Sequence, residues 1–278
     1  MSERQHFQIG QIPRALLEEA ARCVDPYATA LGWPHQHVGS GTFARINGRP
    51  GILTAHHVWE AIYRERDRYP EVHLLVARDD HRYTVPVHHL VVHLRLARDS
   101  EAWGPDLQFI EVPALVASRI AVAKSFVEIS ARAEKWKKIA HQAAGFAFVA
   151  GFAAVETIAS PSGNVNEPNV LLRGGYVTGV DRLVKNGKFD YLETTVDYEF
   201  AKDLPETFGG VSGGGLWRFS LRQGDRCNDM TTATLSSDFA LAGVAFYEER
   251  SSDSKMTLRY HGPDSIYEIL PTLVPAYP

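Results

Sequence analysis

Apolar residues along this chain fall in short runs that alternate with polar ones and are broken at regular intervals by glycine, proline and aspartate. A period of two with frequent breakers predicts short β-strands. One clear exception opens the chain. Leu16, Ala20, Cys23 and Val24 lie at helical spacing behind Pro13, a first-turn residue, so 13–24 is expected to be a helix packed on the main body. Strands are expected at Val38–Ile46 and Gly51–Ala55, joined by Asn47-Gly48, a pair suited to a tight hairpin turn. Val58–Arg64 reads as a short helical turn. Further β-rich runs are Val72–Ala77, Tyr83–Val87, Leu90–Leu96 and Leu107–Val112.

The alternation weakens from Ala114 to Ala140, and Ala131–Ala140 is polar and helix-permissive, as a connection between two halves would be. Strand texture resumes at Gly145–Val155, Val170–Val180, Tyr191–Phe200, the stretch around Ser212, and Phe239–Tyr247. Pro263-Asp264 opens a short closing helix over Ser265–Leu270. There is no internal repeat. The pattern implies an all-β protein of two packed six-stranded antiparallel β-barrels with short terminal helices. The expected division is a helical extension (1–27), a first barrel (28–125), a connection (126–143) and a second barrel with the C-terminal helix (144–278).

Composition narrows the setting. Of 278 residues, 45% are hydrophobic and 22% charged, which is ordinary for a soluble globular protein. A net charge of −4 lacks the dominant basic surface of a nucleic-acid protein, so no nucleic-acid partner is expected. The start, Met1-Ser-Glu-Arg-Gln-His, does not read as a signal peptide. The most apolar stretch, Ala143–Val155, is short and broken by glycine, so no membrane span is expected. Cys23 and Cys227 stand far apart in unrelated contexts, which excludes a disulfide framework and suits a reducing, cytoplasmic location.

The chemistry centres on Phe208-Gly209-Gly210-Val211-Ser212-Gly213-Gly214-Gly215-Leu216-Trp217. A serine in a glycine turn can present its hydroxyl while neighbouring N–H groups converge on one point, the layout of a nucleophile with an oxyanion hole. The same glycines alone suit a flexible or phosphate-cradling loop, but the stretch lacks a Lys-Ser/Thr ending and leads into a strand. A hydroxyl nucleophile needs a base, and the base an orienting acid. His57, at the end of the strand Gly51–Ala55, and Asp106, at the opening of an apolar strand, supply them, although each alone is more often a structural or surface residue. Asp79, Asp80 and Asp99 are rivals for the third position. Metal was weighed at His56-His57, His35-Gln-His37 and His88-His89; none makes a helical zinc pattern and no cysteine cluster joins them, so no metal and no cofactor is expected.

With these residues in the order His, Asp, Ser, the chain resembles the chymotrypsin-like (trypsin-like) serine peptidases, of an intracellular bacterial type. The likeness rests on Thr54-Ala55-His56-His57-Val58, Asp106-Leu107-Gln108-Phe109, Gly210–Leu216 and the cleft-lining strand Leu241–Tyr247, and it runs from about Val38 to Leu270. The resemblance implies that Ser212 is the nucleophile, His57 the general base and then acid, and Asp106 its orienting carboxylate. It implies an oxyanion hole from the Gly210 and Ser212 N–H groups, and substrate contacts at Phe246 and Tyr247. In the family the residue six before the serine often sits at the base of the primary pocket; the resemblance puts Glu206 there, where an acid would favour a basic substrate residue. His57 rather than His56 is taken because the register of Thr54-Ala55 places it so.

Three departures stand out. Val211 replaces the aspartate that pairs with a new N-terminus in secreted relatives, Gly215 replaces a proline, which is expected to loosen the turn, and Val58 replaces a cysteine. They fit a protein that is not activated by clipping, and they leave the oxyanion loop without its usual tether. The expected function is a serine endopeptidase acting on a protein or peptide substrate, in a stress or phage-defence setting such as similar intracellular proteins suggest, with a regulatory protein partner as an option and no membrane partner. The alternatives are a catalytically silent scaffold that keeps the barrels, and a non-peptidase serine esterase.

Overall fold

The computed structural model describes residues 12–34, 36–76, 82–96, 104–140, 145–152, 177–178, 180, 182–198, 207–222 and 234–277. The chain opens with helix α1 (Arg14–Val24), whose Leu16, Ala20 and Val24 are buried at the spacing read from the sequence. Seven strands follow: β1 (Ala28–Trp33), β2 (Gln36–Ile46), β3 (Arg49–Thr54), β4 (Glu71–Leu75), β5 (Arg82–Pro86), β6 (Val91–Leu96) and β7 (Leu107–Glu111), with helix α2 (His56–Arg64) after β3. Asn47 and Gly48 take the positive φ values, 51° and 84°, that the tight turn between β2 and β3 needs. Helix α3 (Ala114–Ile120), the two-residue β8 (Val127–Glu128) and helix α4 (Ile129–Ala140) form the connection.

The second half holds β9 (Gly145–Ala150), β10 (Val177–Thr178), β11 (Arg182–Asn186), β12 (Phe189–Asp197), β13 (Gly215–Arg222), β14 (Thr234–Ser252) and β15 (Lys255–His261). A π-helical turn (Ser265–Ile269) runs into α5 (Leu270–Leu273). The first sheet has the order β5-β4-β1-β2-β3-β7-β6, with β8 parallel beside β2; the second has the order β10-β9-β13-β14-β15-β12-β11. All other pairings are antiparallel.

The all-β class, the two-sheet plan and the short terminal helices agree with the sequence reading. The strand count differs from six in each half: the first sheet has eight strands and the second seven. β8 is a two-residue bridge that no hydrophobic run announces, β10 falls within the expected run Val170–Val180, and β1, β11 and β15 were not expected from the sequence. Among the described residues no ladder closes either sheet into a ring.

The two sheets share one core. Ala44, Leu53 and Phe109 of the first sheet pack in the same cluster as Phe148, Trp217 and Phe219 of the second, and α1 adds Leu16, Ala20 and Val24. Phe219 stacks on Phe146 at 5.5 Å and on Phe239 at 5.2 Å between ring centres. Burying each such ring contributes about 1.5–3 kcal/mol. No helix among the described residues is long and apolar enough to cross a membrane.

A buried polar knot fixes the chain where β15 ends. Asp190, 1% exposed, accepts from Ser265 N (2.7 Å) and Ser265 Oγ (2.7 Å) through Oδ1 and from Asp264 N (3.1 Å) through Oδ2. Its carbonyl accepts from Gly262 N at 2.8 Å. Asp190→Ala strands these donors in a dry site and is expected to cost about 3 kcal/mol in urea denaturation; an unchanged unfolding midpoint would contradict this account of the knot.

Candidate active site

His57 lies in the first turn of α2, not at a strand end. β3 stops at Thr54, Ala55 is the N-cap, and the helix begins at His56. The first amides of a helix lack intrahelical acceptors, and here the His57 N–H donates to Asp106 Oδ1 at 3.0 Å. The His57 ring completes a two-point contact, with Nδ1–H donating to Asp106 Oδ2 at 2.7 Å. This fixes the tautomer: Nδ1 carries the proton and Nε2 faces outward as a base. His56 turns elsewhere, its Nδ1 meeting Gln108 Oε1 at 3.0 Å.

Asp106 precedes β7 and is 1% exposed, while the His57 side chain is 48% exposed. Burial alone would push the Asp106 carboxyl up. The hydrogen bond and charge of the His57 ring, the His57 N–H and the nearby His261 outweigh it and hold the carboxyl below the ordinary carboxylate range. The rival aspartates Asp79, Asp80 and Asp99 lie outside the described residues.

Ser212 stands on the turn that enters β13. It shares with His57 and Asp106 a cleft of about 330 Å³, also lined by His56, Glu60, Phe246, Tyr247 and Glu248. Among the described residues no hydrogen bond joins Ser212 Oγ to the His57 ring; such contacts are often long in unliganded sites. The cleft therefore gathers five of the expected residues, His57, Asp106, Ser212, Phe246 and Tyr247. Gly210 is two positions away along the same turn, and Glu206 lies outside the described residues. Glu248, not singled out from the sequence, accepts from Thr207 Oγ1 and from Phe208 N, both at 2.6 Å.

The nucleophile turn is held from the first sheet. Ser40 of β2 donates through Oγ to Gly210 O (2.7 Å) and accepts there from Phe152 N (2.8 Å), while its own N–H donates to Ser212 O (2.8 Å). His37 Nε2 reaches Phe152 O at 2.8 Å and Gly210 O at 3.2 Å, so that nitrogen carries the proton. Burial lowers the His37 pKa despite these two carbonyl partners. Gly213 N donates to Ala245 O at 2.7 Å, which ties the turn to β14.

Val211, in place of a charged tether, is an apolar plug. It is 5% exposed and packs with Ala147, Val149, Phe208 and Leu216. Gly210 and Gly213 have φ of 91° and 88°, and a Cβ on Gly213 would lie 2.0 Å from Ser40 O. The glycine run is thus tightly packed, against the looseness expected from the missing proline. The Gly210 and Ser212 N–H groups have no acceptor among the described residues.

A histidine behind the site was also not singled out from the sequence. His261, at the end of β15, is fully buried and accepts the Asp106 N–H on Nε2 at 3.0 Å. Burial lowers its pKa from 6.5 to about 4 against the pull of Asp106. The alternation Met256, Leu258, Tyr260, all buried, was the signal that marked this strand.

The chain matches no family model and no curated protein. Among solved structures it is similar to the serine protease domain of the Sesbania mosaic virus polyprotein (13% identity, TM-score 0.45, 96% of this chain and 97% of that one). It is also similar to a protease of M. tuberculosis in its active form (12%, 0.46, 100% and 94%) and to neuropsin, a serine protease of mouse brain (13%, 0.41, 86% and 90%). At this distance the likenesses carry no argument about activity.

Two outcomes follow from the geometry. Ser40→Ala removes the Oγ bridge between Gly210 O and Phe152 N and is expected to lower stability by about 1–3 kcal/mol in urea titration; no change would show that the bridge does not hold the turn. Because His261 titrates lower in the folded chain, the unfolded chain binds the extra proton between pH 6.5 and about 4. Stability should therefore fall as pH drops through that window. His261→Gln should flatten this part of the stability profile, and an identical pH dependence in both proteins would contradict the burial of a neutral His261.

Proposed function

We propose that this chain is a serine endopeptidase of the chymotrypsin-like kind. The observation that carries the reading is the His57–Asp106 pair at 2.7 Å in one cleft with Ser212, the pair coming from one sheet and the serine from the other. Ser212 Oγ attacks the scissile carbonyl, and His57 Nε2 takes its proton. Asp106, already bonded to Nδ1–H, stabilises the imidazolium that forms. The negative charge on the tetrahedral intermediate is taken by the Gly210 and Ser212 N–H groups, each such donor contributing about 3 kcal/mol. His57 then protonates the leaving amine, and water hydrolyses the acyl-enzyme by the same steps in reverse.

The cleft favours a cationic substrate side chain. Among the described residues its charged lining is acidic, with Glu60 and Glu248 beside Asp106 and no Lys or Arg. A silent binding module is the second reading, favoured by the missing Ser212–His57 hydrogen bond.

Hydrolysis of a peptide library, read by mass spectrometry, tests the proposal. Wild type should cut after basic residues. Ser212→Ala and His57→Ala should be inactive, and Asp106→Asn should lose about 10⁴ in kcat because the imidazole tautomer is no longer held. Cleavage undiminished in Ser212→Ala, or after small apolar residues alone, would overturn the mechanism or the specificity respectively.

A further inference from the structure

The Asp106–His57 pair raises the question of what aims Asp106. Both carboxylate oxygens are engaged by His57 itself, Oδ1 by its backbone N–H and Oδ2 by its ring. The ring bond cannot fix the carboxylate independently of the imidazole it is meant to orient, and the His57 N–H, set by α2, holds one oxygen, Oδ1. Among the described residues the ladders do not reach Asp106: β7 pairs with β3 from Gln108 and with β6 from Leu107, so its N–H has no strand partner among them. A buried backbone donor without an acceptor is costly. The acceptor is His261 Nε2, at 3.0 Å, delivered from β15 of the second sheet.

Everything about His261 keeps its ring in one pose. It lies against Phe246 (4.7 Å between ring centres), Tyr191 (5.1 Å) and Phe189 (6.2 Å). The Asp190 knot anchors the chain immediately after it, at Gly262, Asp264 and Ser265. Its register is set on both sides, opposite Tyr191 of β12 and Val244 of β14. If packing were its only task, an apolar ring would suit this aromatic cage better, because His261 Nδ1 has no hydrogen-bond partner among the described residues. The neutral ring with Nε2 as acceptor is the form that serves Asp106.

We propose that His261 is a positioning residue: it holds the backbone of Asp106 from the second sheet and so sets the carboxylate that orients His57 relative to Ser212. The inference rests on the peptidase reading for its kinetic arm, but its geometric arm does not. Ser212 and His261 ride on the same sheet, Asp106 and His57 on the other. The Asp106 N–H to His261 bond is therefore a direct tie across the site, complementary to the grip of Ser40 on Gly210.

Near-isosteric variants separate acceptor from packing. Gln at 261 can present an oxygen to the Asp106 N–H, whereas Met cannot. Both are compared with wild type by thermal unfolding, by kcat and KM on a cleaved peptide, and by the low-field proton resonance of His57 Nδ1–H. Asp106→Asn, which should lose that resonance, assigns it. His261→Gln is expected to keep the resonance and a kcat within about threefold of wild type. His261→Met is expected to fold, to lose or broaden the resonance, and to drop kcat about 10- to 100-fold with KM little changed. Should His261→Met not fold, His261→Phe, which suits the aromatic cage, makes the same comparison. A folded Met or Phe variant with the resonance intact and kcat near wild type would overturn the proposal, as would a Gln variant no better than Met. If wild type cleaves nothing, the peptidase reading fails, and the resonance in the three proteins still decides the role of His261.

Discussion

The two halves of the molecule meet in close backbone contact at the turn that bears Ser212, and the site depends on it. The turn at Gly213 passes so near β2 that any side chain there would collide with Ser40 O and Thr54 Oγ1. Contact at that range lets one serine of the first sheet engage the turn at both Gly210 O and Ser212 O. The turn's shape is set by the neighbouring sheet more than by its own sequence. It needs no charged tether at position 211, because Val211 fills an apolar pocket and the carbonyl next to it is already held.

The reverse tie carries the other half of the constellation. Asp106 sits on the first sheet but takes its backbone partner from β15. Each half thus holds a residue of the other: β2 bonds the turn that bears Ser212, and β15 bonds the backbone of Asp106. Small misplacements between catalytic groups cost large factors in rate. Reciprocal clamps across a shared apolar core are a physical means of keeping two sheets in register at one cleft. The buried anion at Asp106 is tolerated because the His57 ring and the His57 N–H offset its loss of solvent.

Much of this was legible in the chain. The helix at α1, the Asn47-Gly48 turn and most strands of the first half followed from periodicity and turn chemistry, which are local. His57, Asp106 and Ser212 were singled out at a strand end, a strand start and a glycine turn, and the structure brings the three to one cleft, with His57 on a helix start instead. His261 was not, because a histidine at the end of a polar-flanked strand carries no local mark of its burial. Its role arises from β15 lying between β14 and β12 and opposite Asp106, a long-range fact. Ser40 was hidden for the same reason, since a serine in Gly39-Ser40-Gly41 reads as part of a loose strand start. The glycine run was misjudged as loose because composition gives backbone freedom but not the surface pressed against it.

The most direct test of the central claim, that the two sheets assemble a working nucleophile at Ser212, is covalent labelling of the intact protein with a fluorophosphonate, the adduct located by peptide mass spectrometry. The account requires a single adduct on Ser212 in wild type, slowed by orders of magnitude in His57→Ala. A folded wild-type protein that takes no label at Ser212, or one labelled equally well without His57, would contradict it.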